Sequence, residues 1–141
     1  MKAWIQKHDF TSQEFEAPDS SYAKRVLGEF DWLAELNQQA EEGTETCDPG
    51  LGLVMEDGHI LHLCPNGRKR HLIHFHFPRK NRFSALILGG LQTETLFNIS
   101  LEKAEQMIDA FYSKILPASD VAPNPSMQLT VTRCVFTFSD D

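Results

Sequence analysis

From Gly50 to Phe77 the chain alternates apolar and polar residues with a period of two, interrupted by two dipeptides that reverse its direction. Leu51 to Glu56 is followed by Asp57-Gly58, His59 to Cys64 by a turn containing Asn66-Gly67, and His71 to Phe77 completes the run. Asp-Gly and Asn-Gly favour two-residue hairpin turns because both central residues take positive φ. The pattern predicts a three-stranded antiparallel meander.

The flanking segments follow other periods. Ala3 to Phe10 mixes β-formers with polar residues and predicts a short first strand, with a polar connector running to Pro18. From Asp19 or Ser20 as N-cap to Gly43, apolar residues at three- and four-residue spacings predict one helix. At 100° per residue, Val26, Phe30, Leu33 and Leu36 share one side, and Asp31, Glu35, Gln38, Gln39 and Glu42 share the other. Trp32 lies at the border of that acidic stripe, and Asn37 projects from the apolar side, as a buried amide or as the mark of a bend.

Beyond the meander, Phe83 to Leu88 and Leu91 to Phe97 read as two strands separated by Gly89-Gly90, or as one strand with a glycine bulge. Asn98-Ile99-Ser100 caps a second helix striped by Leu101, Ala104, Met107, Ile108, Phe111 and Ile115, which Leu116-Pro117 stops. A proline-containing loop leads to a last strand, Met127 to Phe138. The order β-α-β-β-β-β-β-α-β predicts a single α+β domain, a mostly antiparallel sheet with the two helices on one face.

Composition sharpens this picture in two ways. The formal net charge is −7, but residues 1–50 carry 11 acidic against 4 basic residues, whereas residues 51–141 carry 9 of each. Such asymmetry argues against a general nucleic-acid surface and points to a basic protein partner. Three cysteines without a C-x-x-C, no apolar run of signal-peptide or membrane-span length, and 141 residues imply a reduced, cytoplasmic protein that needs no disulfide scaffold.

Candidate chemistry is concentrated in the meander, which carries five of the six histidines. If the two dipeptides close the hairpins, Glu56 faces His59 and His59 faces His74, with His76 farther along the same face. Glu56, His59, His74 and His76 would then form a nitrogen and oxygen ligand set suited to zinc or iron. His62 and His71 would pair on the core side, with Cys64 beside them. The expected plain role of the histidine row is polar cover on a half-solvated sheet, with no cofactor. Arg68-Lys69-Arg70 and Arg79-Lys80-x-Arg82 fall at opposite ends of the meander, so they do not combine into a phosphate or nucleic-acid patch.

An exposed stripe of Asp31, Glu35, Gln39 and Glu42 with Trp32 at its border fits a protein interface, the indole supplying energy and the charges orientation. The acidic helix, the meander with Gly-containing turns, the Ser100-Leu101-Glu102-Lys103-Ala104 helix and the closing strand together resemble small α+β bacterial immunity proteins that neutralise a cognate toxin. The succession is also somewhat similar to acidic secretion chaperones. The immunity resemblance spans roughly residues 20–138 at the level of architecture and charge. It implies a cytoplasmic, non-catalytic protein that binds another protein, often a basic nuclease or a membrane-active toxin, while the charge distribution and the lack of a long apolar run point away from nucleic acid and membrane as partners. A metal-binding protein or metal-dependent enzyme built on the histidine row is the alternative.

Overall fold

A computed structural model describes residues 1–42, 46–66, 70–78 and 91–114. Six strands and three helices follow in the order β1 (Lys2–Gln6), β2 (Ser12–Glu16), α1 (Ser20–Glu29), α2 (Trp32–Glu42), β3 (Gly50–Val54), β4 (Ile60–Pro65), β5 (Arg70–Pro78), β6 (Leu91–Ser100) and α3 (Leu101–Tyr112). All pairings are antiparallel and the sheet order is β2-β1-β3-β4-β5-β6. This is the α+β fold with an antiparallel sheet that the hydrophobic pattern predicts. The expected strand at 83–88, the Gly89-Gly90 bulge, the helix stop at Pro117 and the strand at 127–138 lie outside the described residues.

Side-chain parity divides the sheet into an apolar and a polar face. Ala3, Ile5, Leu51, Leu53, Leu61, Leu63, Ile73 and Phe75 are buried on one face, together with Ala23 and Leu27 of α1 and Ala104, Ile108 and Phe111 of α3. Both helices therefore cover the same side, as expected. Asp19 caps α1 by accepting from the Tyr22 amide (2.8 Å), and Ser100 caps α3 by accepting from the Lys103 amide (3.3 Å). The Tyr112 hydroxyl donates to the Ala17 carbonyl (2.9 Å) and Lys24 meets Asp109 (2.8 Å), which fastens the two helices and the end of β2 together.

Two differences from the sequence reading move the candidate residues. The first is a strand, β2, in place of the polar connector. Its sequence Ser-Gln-Glu-Phe-Glu has one apolar residue, so no alternation announces it; pairing with β1 along its full length makes it a strand. The second is a break in the first helix. Phe30 is extended (φ −70°, ψ 138°), and the Asp31 carboxylate starts a new helix by accepting from the Ala34 amide (3.1 Å). Helical phase restarts there, so faces drawn over one continuous helix do not apply to α2. Asn37 is exposed, and no buried amide is needed to explain it.

Candidate functional site

The new phase of α2 turns the expected acidic stripe partly inward. Trp32 is buried in the core, donates from Nε1 to the Leu27 carbonyl (2.6 Å) and packs on Phe30. Glu35 is buried as well, whereas Leu33 is 43% exposed. Asp31 remains exposed but serves as the helix cap, and the half-buried Gln39 bonds to the Cys47 carbonyl and to Asp48. Glu42 belongs to the last turn of α2. All five residues lie on α2 or at its cap, and they do not form one exposed stripe because that helix turns Trp32 and Glu35 inward.

The expected histidine row is likewise rearranged by register. Val54 faces Ile60, the Met55 amide donates to the His59 carbonyl (2.9 Å), and Glu56, Asp57 and Gly58 make a three-residue loop with Gly58 at φ 85°. Glu56 is therefore exposed in the turn rather than opposite His59. On the next pair of strands, pairing continues to Pro65 facing His71, so His62 faces His74 and Ile60 faces His76. His59 falls on the opposite parity, where it is held by Asp57 (2.8 Å) and meets the edge of Phe77. Glu56, His59, His74 and His76 are not brought together, and no group of three or more His, Cys, Asp or Glu among the described residues is arranged to hold a metal ion.

What the polar face carries instead is a file of rings. Trp4, His62, His74 and His76 follow one another at centroid separations of 5.8, 5.8 and 6.1 Å, each tilted by about 30° from the next. The file needs Gly52: a Cβ there would run into the Trp4 indole, which crosses β3 to reach His62. The Cys64 sulfur lies 3.6 Å from His62 Nε2, and Thr95 and Thr93 hydroxyls meet the Nδ1 atoms of His74 (3.0 Å) and His76 (2.9 Å).

Burial pushes His62 down to about 3, with the neighbouring His74 and His76 charges adding to the effect, and pushes His76 down to about 4. His74 is lowered by burial against an opposing pull from Asp48. His71 is on the core face, also lowered by burial, with its Nδ1 buried and without a hydrogen-bond partner among the described residues. The three face histidines are therefore neutral at pH 7 and act as flat, weakly polar rings.

Sequence reasoning missed a second cluster, where β1 ends against α2. His8 follows β1, and its Nδ1 donates to Glu35 Oε2 (2.6 Å) while its backbone amide reaches the same oxygen (3.3 Å). The Cys47 amide donates to the His8 carbonyl (3.0 Å), which ties the segment before β3 to the end of β1. In that turn Asp9 Oδ1 accepts from the Thr11 amide (3.0 Å) and hydroxyl (2.6 Å), and the Thr11 hydroxyl holds the Asp9 carboxyl below its ordinary range.

Phe10, between them, has φ 66° and is 59% exposed. A non-glycine residue in this region is strained, and a large aromatic ring in water is the least economical side chain to place there. No sequence pattern marks it, since Phe10 reads as the last apolar residue of a strand.

Among the described residues no helix is long and apolar enough to cross a membrane. Comparison of the chain with family models, with curated proteins and with solved structures finds no match, so the site stands on its own geometry.

Proposed function

We propose that the chain is a non-enzymatic protein-binding protein with a basic partner, of the kind an immunity protein has in its toxin, and that it engages that partner at the tip of the first hairpin. The observation that carries the reading is Phe10: a strained, 59% exposed aromatic ring next to Asp9 in the turn, on a hairpin whose second strand carries the exposed Glu14 and Glu16. Binding energy at protein interfaces concentrates on aromatic anchors, and surrounding charges set orientation and rate of encounter.

The wider surface agrees in sign. In the first fifty residues Asp9, Glu14, Glu16, Asp19, Glu29, Asp31, Glu41 and Asp48 are exposed, while Lys24 is tied to Asp109 and Arg25 lies over the Tyr22 ring. The acidic excess of the sequence is thus surface charge. Trp32 gives up the anchor role to Phe10, and Glu35 gives up a place on the surface to hold His8.

The reading is tested by Phe10→Gly, which fits φ 66° without strain and keeps the turn. The variant folds with stability changed by about 1 kcal/mol or less, the relief of strain offsetting glycine's greater freedom in the unfolded chain. It binds the basic protein captured by the wild-type chain from an extract of its own cells more weakly by about 2 kcal/mol or more. Equal capture by wild type and Phe10→Gly would remove the hairpin tip from the interface.

A further inference from the structure

The outer side of the same hairpin is an edge of the sheet among the described residues. Ala17 donates to the Met1 carbonyl and Lys7 to the Thr11 carbonyl, both at 2.9 Å, so residues 1/17, 3/15, 5/13 and 7/11 are the hydrogen-bonded pairs of the β1–β2 ladder. The amides and carbonyls of Ser12, Glu14 and Glu16 consequently point away from β1, and β2 ends the sheet among the described residues. Edge strands are commonly protected by shortness, charged side chains, proline or a bulge. Ser12–Glu16 is short and carries two glutamates, which repel acidic strands but not basic ones, and it has no lysine, proline or bulge and an unbroken register with β1.

We infer that the outer edge of β2 is a strand-addition site for an extended segment of a basic protein, one that alternates basic and apolar residues. This rests on the reading above that the partner is basic. Chain pairing at an open edge is a general recognition mode in which backbone bonds supply affinity and alternate side chains supply selectivity. Here the alternation is set by the strand. Glu14 and Glu16 project from one face, where cross-strand lysine or arginine complements them. Glu14 lies across from Trp4 and has no cation within ion-pair distance among the described residues, while Glu16 is 3.5 Å from the Met1 amino group. On the other face Phe15 packs toward Tyr22, so apolar residues of the added strand extend the core layer there. A second copy of the chain is the poorer occupant, since antiparallel pairing centred on Glu14 sets that carboxylate against its own copy.

The test uses the full chain and a short synthetic peptide alternating lysine with valine. With the peptide at about ten times its dissociation constant, amide exchange at Ser12, Glu14 and Glu16 slows about tenfold. Exchange at Gln13 and Phe15, already bonded to β1, does not change. Glu14→Pro removes one outward amide and no ladder bond, so the sheet remains and peptide binding is lost. Glu14→Gln keeps the amide and weakens binding only in part. A peptide N-methylated on the amides that face β2 does not bind, and this arm holds whether or not the proline variant folds. Undiminished binding of the N-methylated peptide, or absence of protection at Glu14, would overturn strand addition. In that event, loss of natural-partner capture by Phe10→Gly would still uphold the basic-partner reading, so the two ideas fail separately.

Discussion

His8 Nδ1 lies 2.6 Å from Glu35 Oε2, and through this bond α2 is held against the end of β1 across 27 residues of sequence. Glu35 accepts from the His8 ring and backbone at once, in a place where both side chains are buried. Glu35→Ala removes both bonds and lowers stability by about 1.5–3 kcal/mol, the range for hydrogen bonds to a charged group. Glu41→Ala, an exposed carboxylate on the same helix, changes it by about 0.5 kcal/mol or less. Urea unfolding of the two variants makes the comparison, and equal losses would show that Glu35 does not anchor the helix.

The neutral histidines make the fold sensitive to acid. His62 is lowered from 6.5 to about 3 in the folded chain, so the unfolded chain takes up a proton first as pH falls. The stability is fully present above about pH 6.5 and is lost as pH falls toward 3. Between those limits His62 alone contributes a slope of roughly 1.4 kcal/mol per pH unit. Denaturant midpoints measured from pH 7 to pH 5 should fall steeply in the wild type and less steeply in His62→Leu. Parallel profiles would contradict a buried neutral imidazole.

Gly52 is required by the indole that crosses it. Gly52→Ala pushes Trp4 off β3 and away from His62, at a cost of about 1–3 kcal/mol as in other overpacked cores. Tryptophan fluorescence reports the displacement, with Trp4→Phe separating the Trp4 signal from that of buried Trp32. An unchanged Trp4 contribution would mean that the ring is not held in the file.

The bridge between Lys24 and Asp109 joins α1 to α3 but is partly open to solvent on both sides. Lys24→Met keeps the aliphatic stem and costs about 0–1 kcal/mol. Thermal unfolding in low and high salt checks this: a loss much above that range, insensitive to salt, would assign the bridge a larger share of the packing between the helices.

The meander, the caps at Asp19 and Ser100, and the buried stripe of α3 are all legible in the residues, because period, capping chemistry and turn dipeptides act locally. The histidine placement is not. One extra residue in the first turn, with Gly58 at φ 85°, and continued pairing to Pro65 in the second hairpin exchange His59 for His62 on the polar face. The identity of each meander strand is readable, but its register depends on turn geometry that several loops of similar composition satisfy, and β2, with one apolar residue, is not readable at all. The break at Phe30 and Asp31 is marked only by Gly28 in the last turn of α1 and by Asp31 as a capping residue, signals that the apolar spacing through 19–43 outweighs, and it decides which acidic residues of α2 meet water. His8 and Glu35 find each other only in three dimensions.

Four of the six histidines, His62, His71, His74 and His76, have pKa values moved below the ordinary imidazole range. An unfolded chain of this composition would gain positive charge on mild acidification, but the folded chain takes up fewer of those protons. The histidine-rich sheet therefore contributes little buffering near neutrality, and the surface keeps its negative sign as the medium becomes slightly acidic. Attraction toward the proposed basic partner would thereby be decoupled from small changes in pH, although the residues most often used to sense them lie at the centre of the sheet.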